Sequence, residues 1–147
     1  MNIIGLGQAG CRIATEFENF PQYKTHYIDT KNEDKHKNFF KILEQDSHEQ
    51  YEQNYKNLNI KKIEGGVTLI LAGTGKITGV LLRLLKQLKK NDLTILYIKP
   101  DMSTSAEKEK LRERLVFGVL QQYARSNLLS RLYVFSNLLV ENVLEDI

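Results

Sequence analysis

Two glycine-rich turns contain the residues whose types and spacing could bind a phosphate. The first, IIGLGQAG, has Gly5, Gly7 and Gly10 in the spacing G-x-G-x-x-G, and Asp29 follows about 20 residues later. The second, LILAGTGKITG at residues 69–79, is an apolar run that ends in a turn with three glycines. Glycine turns between a strand and a helix let backbone N–H groups approach a phosphate, and the helix dipole favours the negative charge. Both turns are therefore candidate phosphate cradles.

A Walker-type phosphate loop is one interpretation of the second turn, because Gly75 and Lys76 supply its G-K pair. The pattern G-x-x-x-x-G-K-[ST] also needs a glycine where Ile70 stands and a magnesium-binding hydroxyl where Ile77 stands. Both of these positions are wrong for a Walker loop. The P-loop interpretation is therefore weak.

Strands and helices alternate along the chain so that both turns are expected at one edge of a sheet. Apolar or alternating runs predict strands at residues 2–6, 24–30, 67–73, 93–99 and 131–136. Helical patterns occupy residues 8–20, 47–57, 80–90 and 104–125, with a last helix from near Leu138. The segment FFKIL fits either an edge strand or a helix face. The alternation predicts an α/β fold, Rossmann-like and doubly wound, with a mainly parallel sheet and helices on both faces. Such sheets bind ligands at the carboxyl ends of their strands.

Composition narrows the class of protein. The chain has 147 residues, of which 41% are hydrophobic and 27% charged, and a net charge of +3, which predicts one globular domain over residues 1–147. Acids and bases are interleaved, so no direct nucleic-acid partner is expected. No apolar run approaches the roughly 20 residues that span a bilayer, so no membrane partner is expected either. Cys11 is the single cysteine and the histidines are dispersed, so we predict no disulfide, no metal site and a cytoplasmic location.

Side by side, the two turns resemble the nucleotide loops of the tubulin/FtsZ family. GQAGCRI is similar to the tubulin loop G-Q-x-G-x-Q-I, and AGTGKITG is similar to the FtsZ loop A-G-M-G-G-G-T-G. The second loop keeps its defining positions at Gly73, Gly75, Thr78 and Gly79. Lys76 and Ile77 replace two of its glycines. Later segments (YIDT, LTILYIKP and VFSNLLVENVL) follow the order of elements in the family more loosely.

The resemblance implies a guanine nucleotide, GTP or GDP with Mg²⁺, lying across both loops. The first loop would contact it through Gly7, Gln8, Ala9, Gly10 and Arg12. The second loop would contact it through Gly73, Thr74, Gly75, Lys76, Ile77, Thr78 and Gly79, and the later counterparts are Glu107 and Asn137. The resemblance also implies assembly, head to tail with copies of the chain or with homologous subunits.

The sequence departs from the family where hydrolysis would be supported. EQDSHEQYEQ, which matches the phosphate-sensing loop, has no glycine, and Lys31 stands where FtsZ has an acid. Ile77 adds a β-branched side chain beside the expected ligand. The catalytic acids and the second domain of the family would lie beyond Ile147. No catalytic residue is therefore assigned, and GTP hydrolysis is expected only if another region or a partner supplies the acids.

Two other functions stay open. A structural subunit that keeps the tubulin-like fold but has lost the nucleotide would explain the glycine-free stretch and Ile77. Such a subunit is expected in a larger assembly, a viral one included, in the host cytoplasm or the virion. An NAD-dependent oxidoreductase would use Gly5, Gly7, Gly10 and Asp29 but leaves the second turn unexplained. The fold alone does not distinguish these three functions, so the residues of the site must distinguish them.

Overall fold

The computed structural model describes residues 1–32, 35–55, 63–73, 75–100 and 106–136. The strands are β1 (Asn2–Leu6), β2 (Lys24–Asp29), β3 (Phe39–Lys41), β4 (Val67–Ala72), β5 (Leu93–Lys99) and β6 (Arg131–Ser136). The α-helices are α1 (Gly7–Thr15), α2 (His48–Asn54), α3 (Leu81–Leu88) and α4 (Glu107–Arg125). Short 3₁₀ helices at Glu16–Asn19 and Lys76–Val80 extend α1 and precede α3.

All six strands lie in one parallel sheet with the order β3-β2-β1-β4-β5-β6. The chain winds outward in opposite directions from β1 and from β4, so the boundary between these two strands is the topological switch point. β1 pairs directly with β4, with Asn2 opposite Val67 and Gly5 opposite Ile70. Because the strands are parallel, the two glycine turns leave the sheet from the same edge, side by side.

Helices cover both faces of the sheet because successive strand residues point to opposite sides. On one face α2, α3 and α4 cover a buried cluster that includes Ile4, Leu6, Leu69, Leu71, Ile95 and Tyr97. On the other face α1 covers a smaller cluster of Ile3, Tyr27 and Ile70 through its own Cys11 and Ala14. The predicted doubly wound α/β fold is confirmed.

The helices bury the faces that their apolar spacing predicts. In α3 the buried residues are Leu81, Leu84, Leu85 and Leu88, an i, i+3, i+4, i+7 stripe. Burial of each such leucine contributes roughly 1.5–3 kcal/mol. In α2, Ser47 is the N-cap, and its hydroxyl accepts a hydrogen bond of 3.1 Å from the backbone N–H of Gln50.

Local details refine the sequence expectations. The ambiguous segment FFKIL contains the short edge strand β3, which pairs with β2 through Phe39 opposite Tyr27. The helix expected at residues 8–20 is α1 followed by a 3₁₀ turn. The helix expected from Leu138 lies outside the described residues. No helix in the described part of the chain is both long and apolar enough to cross a membrane.

Candidate functional site

The first glycine turn presents an uncapped helix end at the switch point. Gly7 follows β1 directly and has a φ of +74°, a backbone conformation that residues other than glycine rarely adopt. Leu6 is the N-cap and has no side-chain acceptor, and the first turn of α1 contains no acidic residue. The first N–H groups of α1 are thus left for another acceptor, which is the arrangement that binds anions at helix ends.

Gly5 and Gly10 in the same motif have a packing role. A Cβ added at Gly10 would overlap the carbonyl oxygen of Ile70 and lie 3.1 Å from its carbonyl carbon. A Cβ added at Gly5 would lie 2.8 Å from the Cα of Cys11. The two glycines therefore let α1 lie directly on β1 and β4, whether or not a ligand is present.

The second turn is closed by its own threonine. Thr78 is buried, and its hydroxyl donates a 2.7 Å hydrogen bond to the carbonyl oxygen of Gly75. The backbone N–H of Thr78 donates to the same oxygen at 3.1 Å. Gly75 and Lys76 are exposed beside this closure, so the lysine ammonium faces solvent. Thr74 lies outside the described residues.

Ile77 fills the gap between the two turns. Its Cγ2 atom lies 3.0 Å from the position that a Cβ of Gly7 would take, and 3.8 Å from the corresponding position at Gly75. The side chain is half-buried and also packs against the larger hydrophobic cluster. The space between the turns, where the resemblance puts the phosphates, therefore contains a β-branched side chain.

Beneath the second turn lies a buried tyrosine–glutamate pair. The missing Cβ of Gly73 makes room for the ring of Tyr97, since an added Cβ would overlap its hydroxyl oxygen and lie 2.8 Å from its Cζ. That hydroxyl donates to Oε1 of Glu113 at 3.1 Å. Burial, followed by the negative charge of Glu113, raises the pKa of Tyr97 far above its usual value, so the phenol stays protonated and continues to donate.

The last glycine of the second turn sits against α2. A Cβ added at Gly79 would overlap the carbonyl oxygen of His48 and lie 2.9 Å from the Cβ of Tyr51. α2 can approach the 3₁₀ helix at Lys76–Val80 this closely only because residue 79 has no side chain. Gly73 and Gly79 therefore both have packing roles.

A polar cavity of about 450 Å³ opens beside the first turn, on the β2 side of the switch point. Its walls come from α1, from the last residue of β2, from the first residue of β3, from the loop between these strands and from one residue after β3. The lining residues are Gln8, Cys11, Arg12, Asp29, Thr30, Lys31, His36, Phe39 and Glu44. The three from α1 are spaced i, i+3, i+4, so they share one face of the helix. Residues of the second turn do not line this cavity.

The cavity has fixed and adjustable walls. The ring of His36 stacks on Tyr27 with centroids 3.6 Å apart, and its Nδ1 lies 3.3 Å from Oε1 of Glu18. The hydroxyl of Tyr27 donates to the same carboxylate, so the histidine ring is held in place. Arg12 and Lys31 are exposed and long, and they can follow a ligand. The cavity thus combines cationic groups, carboxylates and aromatic faces.

Cys11 lines the cavity, but its thiol has low reactivity. Its thiol lies 3.4 Å from the carbonyl oxygen of Gly5 and 3.7 Å from that of Ile28. Burial and then the nearby Asp29 carboxylate raise the pKa of Cys11 to about 12. A thiol in this state is not a nucleophile at neutral pH.

The structure brings together part of the predicted site. Gln8 and Arg12 line the cavity, whereas Ala9 lies exposed in the first turn of α1. Glu107 begins α4, has a side chain that is 88% exposed, and lies 3.6 Å from Lys110. Asn137 lies outside the described residues.

Sequence reasoning missed several residues at this edge. His36, Phe39 and Glu44 belong to a polar stretch that has no clear periodicity. Glu113 offered a pattern that could have been used: it shares an i, i+3, i+7 face of α4 with the buried Val116 and Leu120. A carboxylate on the apolar face of a helix indicates a buried polar partner.

Among the described residues, no cluster of three or more histidine, cysteine or acidic side chains could hold a metal ion. The fold and the cavity define the class: a doubly wound, all-parallel α/β protein with a polar cleft at its switch point. No protein-family model matches the sequence, and no curated protein matches it either. The particular function is therefore inferred from the site itself.

Proposed function

We propose that this chain is a nucleotide-binding domain of the tubulin/FtsZ kind, which binds GTP or GDP and assembles head to tail with itself or with related subunits. The observation that carries the proposal is the pairing of two glycine turns at one switch point, with Gly7 in a left-handed conformation before an uncapped helix. A helix end of this type favours a phosphate. The guanine preference and the assembly rest on the resemblance of the two loops.

The chain's own residues supply groups that bind a nucleotide, and one side chain, Ile77, restricts where its phosphates can lie. The first turn offers N–H groups, and Arg12 and Lys31 supply cations next to it. Mg²⁺ usually takes one or two carboxylates and completes its shell with phosphate oxygens and water, so it would arrive with the nucleotide. Ile77 must move, or the phosphates must lie toward the cavity. Hydrolysis would need acids from another region or from a partner.

Calorimetric titration with GTP, GDP, ATP and NAD in magnesium buffer tests the binding. Arg12→Ala should weaken GTP binding by about 10- to 100-fold, because a charge-assisted hydrogen bond contributes roughly 1.5–3 kcal/mol. Arg125→Ala is the matched control, since this exposed arginine ends α4 at the opposite edge of the sheet. Guanine-selective binding that Arg12→Ala weakens and Arg125→Ala leaves intact supports the proposal. Equal losses in both variants would contradict it.

Sedimentation with and without GTP tests assembly separately. A pellet that depends on GTP, over a range of salt concentrations, supports head-to-tail assembly. GTP binding without any pellet would leave a nucleotide-binding domain and remove the assembly half of the proposal.

A nucleotide-free structural subunit is the second candidate, and Ile77 favours it. Its side chain occupies the gap between the turns, and the Thr78 hydroxyl is already bonded to Gly75. Under this proposal no nucleotide binds, and the chain works as a subunit of a larger assembly, viral or cellular. Silence toward all four nucleotides, in both the parent chain and Ile77→Ala, is the result expected.

An NAD-dependent oxidoreductase is the third candidate, and the position of Asp29 in the cavity favours it. It predicts NAD binding that Asp29→Ala weakens, with no response to GTP. The same calorimetric series therefore separates all three candidates.

A further inference from the structure

One part of the sheet has no helix over it in the described part of the chain. The buried side chains of α2, α3 and α4 lie in the larger cluster on one face, so α1 is the only helix on the other face among the described residues. α1 packs on β1, β2 and β4. Of the residues described in β5 and β6, only Leu96 packs against the cluster that α1 covers. The α1 face of the sheet is therefore open over its last two strands.

The open part of this face is apolar. In the pairing of β5 with β6, Leu96 lies opposite Tyr133 and Ile98 lies opposite Phe135. These four side chains share the α1 face, because neighbours across a parallel pair and alternate residues along a strand point to the same side. Tyr133 is 42% exposed and Phe135 is 44% exposed. We call these four residues the β5–β6 patch, and a contiguous apolar patch of this kind indicates a surface that another segment covers.

The segment that follows β6 in the sequence has the pattern needed to cover this patch. Residues 137–147, which lie outside the described residues, read NLLVENVLEDI. Val140, Val143, Leu144 and Ile147 have the i, i+3, i+4, i+7 spacing of one helix face. As a helix, residues 138–147 would extend about 15 Å, close to the roughly 20 Å of a strand as long as β6. A helix that returns along β6 would therefore place its apolar stripe on the β5–β6 patch.

Charge and connectivity favour this segment over a separate molecule. The segment contains Glu141, Glu145 and Asp146 and no basic residue. Arg131 begins β6, is exposed and donates a hydrogen bond of 3.2 Å to the hydroxyl of Tyr133, so its positive charge lies beside the patch. A helix that runs back from the end of β6 would bring Glu145 and Asp146 to that end of the strand. Because the segment is covalently joined to β6, it meets the patch at a far higher effective concentration than a second copy of the chain does.

We infer that residues 137–147 dock as an amphipathic helix on the α1 face of the sheet, with their apolar stripe on the β5–β6 patch. α1 and this segment then cover one face of the sheet between them, as α2, α3 and α4 cover the other. The contact also removes an exposed apolar surface at the edge strand β6, which would otherwise favour association between copies of the chain. It does not depend on a nucleotide, so it holds for each of the three candidate functions.

Disulfide trapping in the full chain tests this placement. Counted back from the end of β6, Leu144 of the helix reaches the level of Tyr133, so these two residues are replaced by cysteine. Cys11→Ala removes the only other thiol. The matched control pairs Val134→Cys with Leu144→Cys, because Val134 is 44% exposed but lies opposite Tyr97, which faces the cluster under α4. A disulfide needs Cα atoms within about 7 Å, so under mild oxidation the first pair should form an intramolecular disulfide at least about 10-fold faster than the control pair.

A charge placed on the apolar stripe gives an independent measurement. Val143→Asp puts a carboxylate into the contact, so it should lower the urea midpoint and slow formation of the first disulfide by about 10-fold or more. Asn142→Asp adds the same charge on the opposite face of the helix and should change neither quantity. Thermal melts confirm that each variant folds. If Tyr133→Cys proves unstable, Phe135→Cys paired with Val140→Cys makes the same test at the other end of the patch.

Each outcome decides for or against the docked segment. An intramolecular disulfide that forms faster than the control and is slowed by Val143→Asp supports it. A disulfide between two chains, seen as a dimer on a non-reducing gel, would mean that a second copy covers the patch and would overturn it. Equal rates for the two cysteine pairs, or no disulfide in a folded protein, would overturn it as well. Because no nucleotide is added, failure here leaves the proposed function unaffected.

Discussion

Gly79→Ala should destabilise the ligand-free protein. The added Cβ would overlap the carbonyl oxygen of His48 and lie 2.9 Å from the Cβ of Tyr51, so α2 must shift away from the second turn. Both obstacles belong to the backbone or the start of a side chain, which cannot rotate away. Overpacking of this kind costs about 1–3 kcal/mol. If residue 79 were a glycine only to admit phosphate, the ligand-free protein would not lose stability.

Urea unfolding without nucleotide, followed by circular dichroism, measures the change. In a parallel thermal melt, each kcal/mol corresponds to roughly 2–4 °C in melting temperature for a domain of this size, so a loss of several degrees is expected. Gly118→Ala is the matched control, because Gly118 is exposed within α4 and an added Cβ meets nothing within 4 Å. That variant should gain up to about 1 kcal/mol from helix propensity. An unchanged or higher urea midpoint for Gly79→Ala would refute the packing role.

Three other predictions follow from the same contacts. Ile77→Ala empties the gap between Gly7 and Gly75, so GTP affinity in calorimetry should rise if the phosphates lie between the turns and should stay unchanged if they lie toward the cavity. The pKa of Cys11 is raised from 9.0 to about 12, so its thiol should react with iodoacetamide near pH 8 on the order of 10³-fold more slowly in the native protein than in urea. Equal reaction rates in the two conditions would contradict its burial. Burial lowers the pKa of His26 and of His48 below 6.5, so the unfolded chain binds protons first as the pH falls. The histidines should therefore leave stability intact above about pH 6.5 and lower it as the pH falls below that value, and replacing both histidines with glutamine should flatten that urea-midpoint profile.

The fold was predictable because its elements are locally consistent. The continuous apolar run of β4 indicates a strand that is covered on both faces, the apolar sequence LTILYIK indicates a second buried strand, and the leucine stripe of α3 indicates an amphipathic helix. The short strand β3 was less certain. Three residues are too few for alternating apolar and polar positions to distinguish a strand from one face of a helix. The pairing with β2 shows that this segment is a strand.

The site was predictable only where it follows directly from the chain order. Gln8 and Arg12 could be placed because α1 begins where β1 ends. The contact between Ile77 and Gly7 could not, because it depends on the register in which β1 and β4 pair. His36 and Phe39 come from a polar segment whose sequence has neither a helical nor a strand periodicity. They reach the cavity only because the chain turns back after β2 and pairs with it as β3.

Glycine patterns are ambiguous in this fold for a physical reason. A helix that packs directly on a strand and a phosphate that approaches a backbone both require a residue without a side chain. Gly10, Gly73 and Gly79 meet neighbouring protein atoms where a Cβ would be, so their presence is explained without a ligand. The residues that distinguish a nucleotide site from a packing motif are therefore not glycines. Ile77 is one such residue, because its side chain limits where a phosphate can lie between the two turns.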